Sequence, residues 1–252
     1  MNTTTETTEM TTPKHLGSTL GYLKSVPLFS NLTDEEIAYF DKAAQIRSYK
    51  KGKIIFLQGE TPKFFYIIGG GWIKLFRTMP EGDEVIVDML TTGHTFGESA
   101  IFEQDCQMCS AQVVEDVSLL SIPSGVLKEQ IRSNSTLALN MLSTMSRHHR
   151  HHVSALAFNT MLSAPQRIGC FLLQLCPPGD NRKNVTFNLP YDKTLIADTL
   201  GMKGATFSRA LNILRQKTKI HIDGACVTVE SVPLLAKYVY GSLGTKYISA
   251  DM

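Results

Sequence analysis

The chain has 252 residues, 43 % of them hydrophobic, and a formal net charge of +2, which is enough apolar material for two domains but does not by itself indicate nucleic-acid binding. No apolar run approaches the roughly 18 residues that indicate a membrane-spanning helix, and the polar N-terminus has no signal-peptide core. Five scattered cysteines argue against a disulfide framework, so we expect a cytoplasmic protein that does not contact a membrane.

The N-terminal part of the chain predicts a tail followed by an effector-sensing domain. Residues 1–18 are polar and rich in threonine, which favours disorder. The domain predicted over residues 19–133 begins with a helical region. There Thr33 and Glu36 have the spacing of a helix capping box.

Short β-rich segments separated by turns follow between residues 47 and 123. Gly69–Gly71 and Pro80–Asp83 are predicted to be turns. The predicted strands are residues 53–57, 64–68, 72–76, 84–89, 110–114 and 117–122. Their close spacing indicates an antiparallel β-roll, so the predicted fold class is α+β.

A long helix is predicted over residues 126–163, which contain neither Gly nor Pro, with a hinge at Pro165. Within it, one stripe repeats at three- and four-residue steps, as in paired helices. The stripe consists of Leu142, Met145, His149, Val153 and Leu156. Residues 134–164 are therefore predicted to be a dimerisation helix and hinge.

A winged helix-turn-helix domain is predicted over residues 165–235, with a tail over 236–252. Two short apolar-periodic segments meet at Gly201, which is the pattern of a helix-turn-helix. They are marked by Leu195, Ile196 and Leu200 in the first and by Phe207, Ala210, Leu211 and Leu214 in the second. Asp223-Gly224 within the β-rich residues 221–229 predicts a hairpin wing.

The second helix of a helix-turn-helix can lie in a DNA major groove. Thr206, Ser208 and Arg209 near its start are the polar groups that such a fit requires, and a local basic cluster can neutralise phosphates. The cluster consists of Lys203, Arg209, Arg215, Lys217 and Lys219. Since no phosphate-binding loop, Ser-His-Asp arrangement or other catalytic motif is evident, nothing in the sequence supports an enzyme.

The order of roll, long helix, hinge and winged helix resembles the CRP/FNR superfamily of bacterial transcription regulators over nearly the whole chain. The matching residues are Gly52, Gly59, Gly69–Gly71, Pro80–Gly82, Phe96–Glu98 and Thr206–Arg209. Within the superfamily, the chain looks most like the Dnr branch, regulators of nitrate respiration, because of Leu189-Pro190, Lys193, Ile196-Ala197, Leu200 and the run TFSRAL from Thr206.

The resemblance implies an effector-gated homodimer on a two-fold-symmetric operator in double-stranded DNA, with RNA polymerase as a partner. Effector binding would reorient the winged helices through the hinge near Ala164-Pro165. Arg209 aligns with the superfamily's base-reading Arg, which can pair with guanine. Relatives commonly carry a Glu four residues before that Arg to read cytosine. Here Ala205 stands there, after Gly204, so the operator is expected to differ.

The expected effector is not cyclic AMP. Relatives that bind it use a Gly-Glu pair for the ribose and an Arg-Ser pair for the cyclic phosphate. This chain has Gly97, Glu98 and Ser110, but Cys109 replaces the Arg that a buried phosphate needs. The same replacement disfavours the alternative of a cyclic-nucleotide-binding module. No cysteine precedes Cys106, which excludes the N-terminal iron–sulfur cluster of FNR.

Other effectors remain open. The Dnr resemblance implies a haem-dependent response to nitric oxide, with His15, His149 and His152 as possible axial ligands. His152 and Val153 coincide with effector-contacting positions of relatives, so they and His149 are pocket candidates together with Gly97, Glu98 and Ser110. Alternatively, His149 lies in the dimer seam while the neighbouring residues form a solvated face: Arg147, His148, Arg150 and His151.

A further alternative is a redox switch. Cys106 and Cys109 have C-x-x-C spacing and could form a redox dithiol.

Overall fold

The computed structural model describes residues 19–102, 106–176, 183–190 and 193–241, excluding the side chains of 99, 151–160 and 183. The predicted tail over residues 1–18 lies outside this description. The chain divides into two compact units, residues 1–148 and 149–252. The division falls inside the helix predicted for dimerisation.

The first unit begins with three short helical segments, and local hydrogen bonds cap the start of the last one. They are α1 (Thr19–Ser25), a 3-10 turn (Pro27–Phe29) and α2 (Asp34–Ala43). The predicted capping box is confirmed at α2, since Thr33 Oγ1 accepts from Glu36 N at 3.3 Å and the Glu36 carboxylate accepts from Thr33 N at 2.7 Å.

An antiparallel sheet follows and confirms the predicted α+β fold. Its strands are β1 (Gln45–Tyr49), β2 (Ile54–Phe56), β3 (Phe64–Thr78), β4 (Glu84–Thr91), β5 (Thr95–Phe96) and β6 (Ser110–Pro123). The order along the main path is β1-β6-β3-β4, while β2 pairs with β6 and β5 with β3. The turn predicted at Pro80–Asp83 is confirmed between β3 and β4, where Met79 N donates to Asp83 O at 2.8 Å.

The turn predicted at Gly69–Gly71 is wrong, because these glycines lie inside the continuous strand β3. The partner β6 is likewise one strand where the sequence predicted two. The pairing of β3 with β6 shifts register around Gly70 and Trp72. Gly71 has φ +90°, and a Cβ there would lie 2.3 Å from the carbonyl oxygen of Asp116. The glycines therefore allow both strands to bend together without reversing the chain.

The sheet is buried on both faces, which explains the uninterrupted apolar run at the start of β3. Successive strand residues point to opposite faces. Phe65 and Ile67 pack with Phe29, Phe40 and other residues of the helices. Tyr66, Ile68, Ile73, Phe96 and Leu119 belong to a second core inside the roll.

The single helix predicted over residues 126–163 is wrong, because an extended residue divides it. Helix α3 (Glu98–Phe102) precedes β6, and the helices that follow β6 are α4 (Ser124–Ser133) and α5 (Ser135–Met161). Asn134 between them has φ −122° and ψ 105°, and its side-chain oxygen accepts from Leu137 N at 3.0 Å, which caps the new helix. In the described part of the chain, no helix is long and apolar enough to cross a membrane.

The second unit has the predicted helix-turn-helix and wing, with two additional elements. Its elements are α6 (Ala164–Gln174), β7 (Lys183–Asn188), α7 (Lys193–Thr199), α8 (Gly204–Thr218), β8 (Ile220–Asp223), β9 (Cys226–Ser231) and α9 (Val232–Tyr240). Strand β7, which the sequence did not predict, pairs with β9 to give the order β7-β9-β8. Helix α9 occupies the start of the predicted tail 236–252, and Val239 and Tyr240 are buried.

Gly71→Ala is expected to destabilise the first unit by about 2 kcal/mol or more, because the new Cβ meets backbone that cannot move aside at an unfavourable φ. Denaturant unfolding measures this change. Gly70→Ala is the matched control, because a Cβ there meets nothing within 4 Å. An equal effect of the two substitutions would contradict the role assigned to Gly71.

Candidate DNA-binding helix and effector-site residues

Helix α8 is held in place by one apolar face and by the turn that precedes it. Its buried residues recur at three- and four-residue steps: Phe207, Ala210, Leu211, Leu214 and Thr218. In the turn, Gly201 has the left-handed φ of +61°, and Met202 N donates to Ala197 O at 2.9 Å. Arg167 of α6 donates to Leu200 O at 2.9 Å and so ties the turn to the core. The helix-turn-helix prediction is confirmed in these details.

The opposite face of α8 presents polar groups to solvent. Lys203 at the N-cap, Ser208 and Arg209 are exposed, while Thr206 is half-buried. Arg209 Nε donates to the carbonyl oxygen of Ala205 at 3.3 Å. This bond leaves both terminal nitrogens of the guanidinium available for a bidentate contact.

A recess of about 490 Å³ runs along one flank of α8. Lys193 and Thr194 of α7 line it on one side, Ser208 and Arg215 of α8 on another, and Gly224 of the wing lies at its edge. Two cations therefore border a concave surface next to the exposed face of α8. Such a surface suits the phosphate backbone of a nucleic acid.

The basic cluster has a second physical function within α8. Arg215 and Lys217 lie in the last turn of the helix, where positive charge interacts favourably with the helix dipole. The cluster is therefore evidence of both helix stability and phosphate binding, and Arg209 is the more specific sign of base contact.

The predicted effector residues Gly97, Glu98 and Ser110 lie in the first unit. Gly97 has φ +90° and leads directly into α3, whose first residue is Glu98. Glu98 is only 7 % exposed, and its Oε1 lies 2.8 Å from His148 Nδ1 of α5. Its Oε2 is buried without a hydrogen-bond partner among the described residues. Ser110 is also buried, and its hydroxyl accepts from Gln58 N at 3.0 Å.

His148 is the partner of Glu98 that the sequence did not predict. The prediction that placed it on a solvated face is wrong, because the imidazole is half-buried against Glu98. Its position follows from helix periodicity, since buried Met141 and Thr144 precede it at seven and four residues. His149 is exposed. The side chains of His152 and Val153, and all of His15, lie outside the described residues.

The electrostatic surroundings of His148 favour its charged form. The hydrogen bond with Glu98 raises the pKa of His148, while burial and the charge of Arg147 oppose that rise and Asp88 adds to it. The hydrogen bond between this imidazole and the buried carboxylate of Glu98 links the roll to α5, and protonation of the imidazole strengthens it.

Cys109 has a half-buried thiol. Burial raises the pKa of Cys109 to about 11, with Arg77 opposing the shift and Asp88 and Glu98 adding to it. A thiol with such a pKa is a poor redox nucleophile, which counts against the Cys106–Cys109 dithiol. Arg77 lies close to Cys109 in the sheet, because the preceding residue Phe76 pairs with Ser110. However, Arg77 is exposed and supplies no buried cation.

No convergence of three His, Cys, Asp or Glu side chains suited to a metal ion occurs among the residues that the structure describes. Among the described side chains of the Arg147–His152 segment, His148 makes the contact with Glu98.

Comparisons with known proteins agree with this architecture in both units. The cyclic nucleotide-binding domain family matches residues 46–134, and the Crp-like helix-turn-helix domain family matches residues 166–238. The solved structure of a candidate cyclic nucleotide binding protein from Ruegeria pomeroyi is 30 % identical, with a TM-score of 0.64, and the match covers 88 % of this chain and 97 % of that one. The chain belongs to the CRP/FNR superfamily of transcription regulators.

Two further CRP/FNR relatives match most of this chain. The cyclic AMP receptor protein of Thermus thermophilus is 28 % identical over 87 % of this chain and 99 % of its own length. The transcriptional activator protein FnrA of Stutzerimonas stutzeri is 26 % identical over 84 % of this chain and 87 % of its own. These similarities establish a DNA-binding regulator of the CRP/FNR type. The Dnr branch stays a prediction.

His148→Gln is expected to reduce the stability of this CRP/FNR regulator mainly at acid pH. Because the folded pKa of His148 is raised, its ion pair contributes fully below the unfolded pKa of about 6.5 and is lost as the pH rises through the folded value. We expect a loss of about 0.5–1 kcal/mol at pH 5.5, limited by partial exposure, and a smaller loss at pH 9. Urea unfolding across this pH range measures it.

His149→Gln is the control, since that neighbouring imidazole is exposed. A loss in His148→Gln that is constant across the pH range would contradict the assignment of a charged pair to Glu98 and His148.

Proposed function

We propose that this CRP/FNR regulator acts as a cytoplasmic homodimer that binds a two-fold-symmetric DNA operator and responds to an effector bound beside Glu98 and His148. The observation that carries the DNA-binding part is Arg209, exposed on α8 with its guanidinium held by the Ala205 carbonyl and its terminal nitrogens available. A bidentate Arg contact is the commonest specific readout of guanine in the major groove. RNA polymerase is the further partner proposed from the family.

Dimerisation is supported by an unpartnered apolar stripe on α5. Leu142 is 61 % exposed and Met145 is 36 % exposed, although both follow the buried Met141 in the same helix. Exposed His149 continues the stripe at the next four-residue step. Pairing α5 with a second copy would remove this apolar surface from water, at roughly 25 cal/mol per Å².

The effector proposal rests on the incomplete pairing of Glu98. Its buried Oε2 lacks a described hydrogen-bond donor, and the hydroxyl of Thr95 is buried without a partner as well. A small ligand with a hydrogen-bond donor would supply the missing partner of Oε2 and compete with His148 for the charge of the carboxylate. The exposed Arg77 and the half-buried Cys109 provide no enclosed cation, which does not favour a cyclic phosphate.

Haem-based sensing of nitric oxide rests on the Dnr resemblance. Among its candidate ligands, exposed His149 does not fit an axial ligand in an enclosed apolar pocket, while the side chains of His15 and His152 lie outside the description. The absorption spectrum of the purified chain with haem, before and after nitric oxide, tests this idea directly. A Soret band abolished in His152→Ala would support it, and a spectrum of free haem alone would count against it.

We first select an operator for the parent protein from random duplexes. Arg209→Ala is expected to weaken binding to that operator by about 1–3 kcal/mol, or roughly 5- to 150-fold, because one bidentate guanine contact is lost. Weak, salt-sensitive binding to unrelated duplexes should remain, since it depends on phosphate contacts. Titration of operator and unrelated duplexes at several salt concentrations measures both. Arg132→Ala removes one exposed charge from α4 and is the control; equal operator affinity of Arg209→Ala and parent would refute the assignment.

Leu142→Glu is expected to convert the dimer to a monomer at micromolar concentration, because it places a carboxylate in the apolar stripe. Ser143→Glu adds the same charge one residue away, outside the stripe, and should leave the dimer intact. Sedimentation equilibrium distinguishes the two masses. A dimeric Leu142→Glu protein would locate the interface elsewhere.

A further inference from the structure

The outer face of α8 carries a second residue suited to base contact. Asn212 is exposed and lies three positions after Arg209 and seven after Ala205, so all three share one side of the helix. Asn212 also borders the recess that contains Lys193 and Arg215. It therefore lies between the candidate guanine contact and the candidate phosphate contacts.

Asn212 has hydrogen-bonding groups that are not engaged within the described part of the chain, in contrast to the neighbouring Ser208. The hydroxyl of Ser208 donates its single hydrogen to the carbonyl oxygen of Gly204 at 3.0 Å. The Asn212 amide forms no hydrogen bond with another residue in the described part of the chain, so it offers donors and an acceptor together. At the centre of the same face, Ala205 presents only a methyl group, which allows a close approach of the helix to the bases.

The spacing of side chains along α8 is comparable with the spacing of stacked base pairs. Three residues of an α-helix rise about 4.5 Å, while successive base pairs are about 3.4 Å apart. A side chain three residues from Arg209 can therefore reach the base pair next to the guanine or the following one. An Asn amide pairs in bidentate fashion with adenine, accepting from N6 and donating to N7.

We propose that Asn212 is a specificity-determining residue that reads an adenine within two base pairs of the guanine contacted by Arg209. This proposal rests on the proposed function, because it requires α8 to lie in the major groove. It assigns to an amide, rather than to another charge, the second sequence-specific contact of each half-site.

In vitro selection from random duplexes, with the full-length chain alone, with cyclic AMP and with haem, tests the proposal. The parent should select a half-site with guanine and a nearby adenine. Asn212→Ala should retain the guanine preference, lose the adenine preference and bind the parent operator about 5- to 150-fold more weakly. Gln216→Ala, which removes another exposed α8 amide one turn further on, should select the parent half-site.

An atomic substitution in the DNA distinguishes direct contact from an indirect effect. Replacing that adenine by 7-deazaadenine removes the N7 acceptor and should weaken the parent about 2- to 10-fold, with no further effect on Asn212→Ala. Equal losses in parent and variant, or a parent half-site without an adenine in that interval, would overturn the proposal while Arg209 remains the guanine reader. A parent that selects no duplex under any condition would overturn the proposed function as well.

Discussion

The buried carboxylate of Glu98 is the constraint on which the first unit depends. A carboxylate that leaves water loses hydration that only polar partners can replace. Here one oxygen has the imidazole of His148 as its partner, whereas the other has none among the described residues. The contact between the roll and helix α5 is therefore polar and incomplete, and the proposed effector would complete it.

Helix α5 joins this contact to the proposed dimer interface. Met141, Thr144 and His148 face the first unit, while Leu142 and Met145 on another side are exposed. A helix moves as one body, so in the proposed mechanism a change of partner at Glu98 would displace the apolar stripe too. The coupling needs no long chain of intermediates, because both groups belong to the same three turns.

The DNA-binding surface depends on a different balance between burial and exposure. The buried face of α8 fixes the helix against the rest of its unit. The small residues Gly204 and Ala205 leave room at the start of the outer face for a close approach of the helix to DNA. Arg209 is then oriented by a backbone carbonyl, and no acidic side chain pairs with it among the described residues. In the proposed function, the hydrogen bonds of Arg209 and Asn212 set the sequence preference more than net charge does. Lys193 and Arg215 contact the phosphate backbone of the DNA.

The sequence by itself determined the features that local spacing controls: the capping box at Thr33, the helix-turn-helix around Gly201, the wing at Gly224 and the superfamily. It did not determine strand β7 or the continuity of β3 through its glycines, because pairing with β9 and β6 depends on residues distant in the chain. Only the tertiary structure chose His148 over His149 as the partner of Glu98. Periodicity shows which residues share a helix face, but the side of the helix that packs is decided by the contacts it makes across 50 residues of sequence.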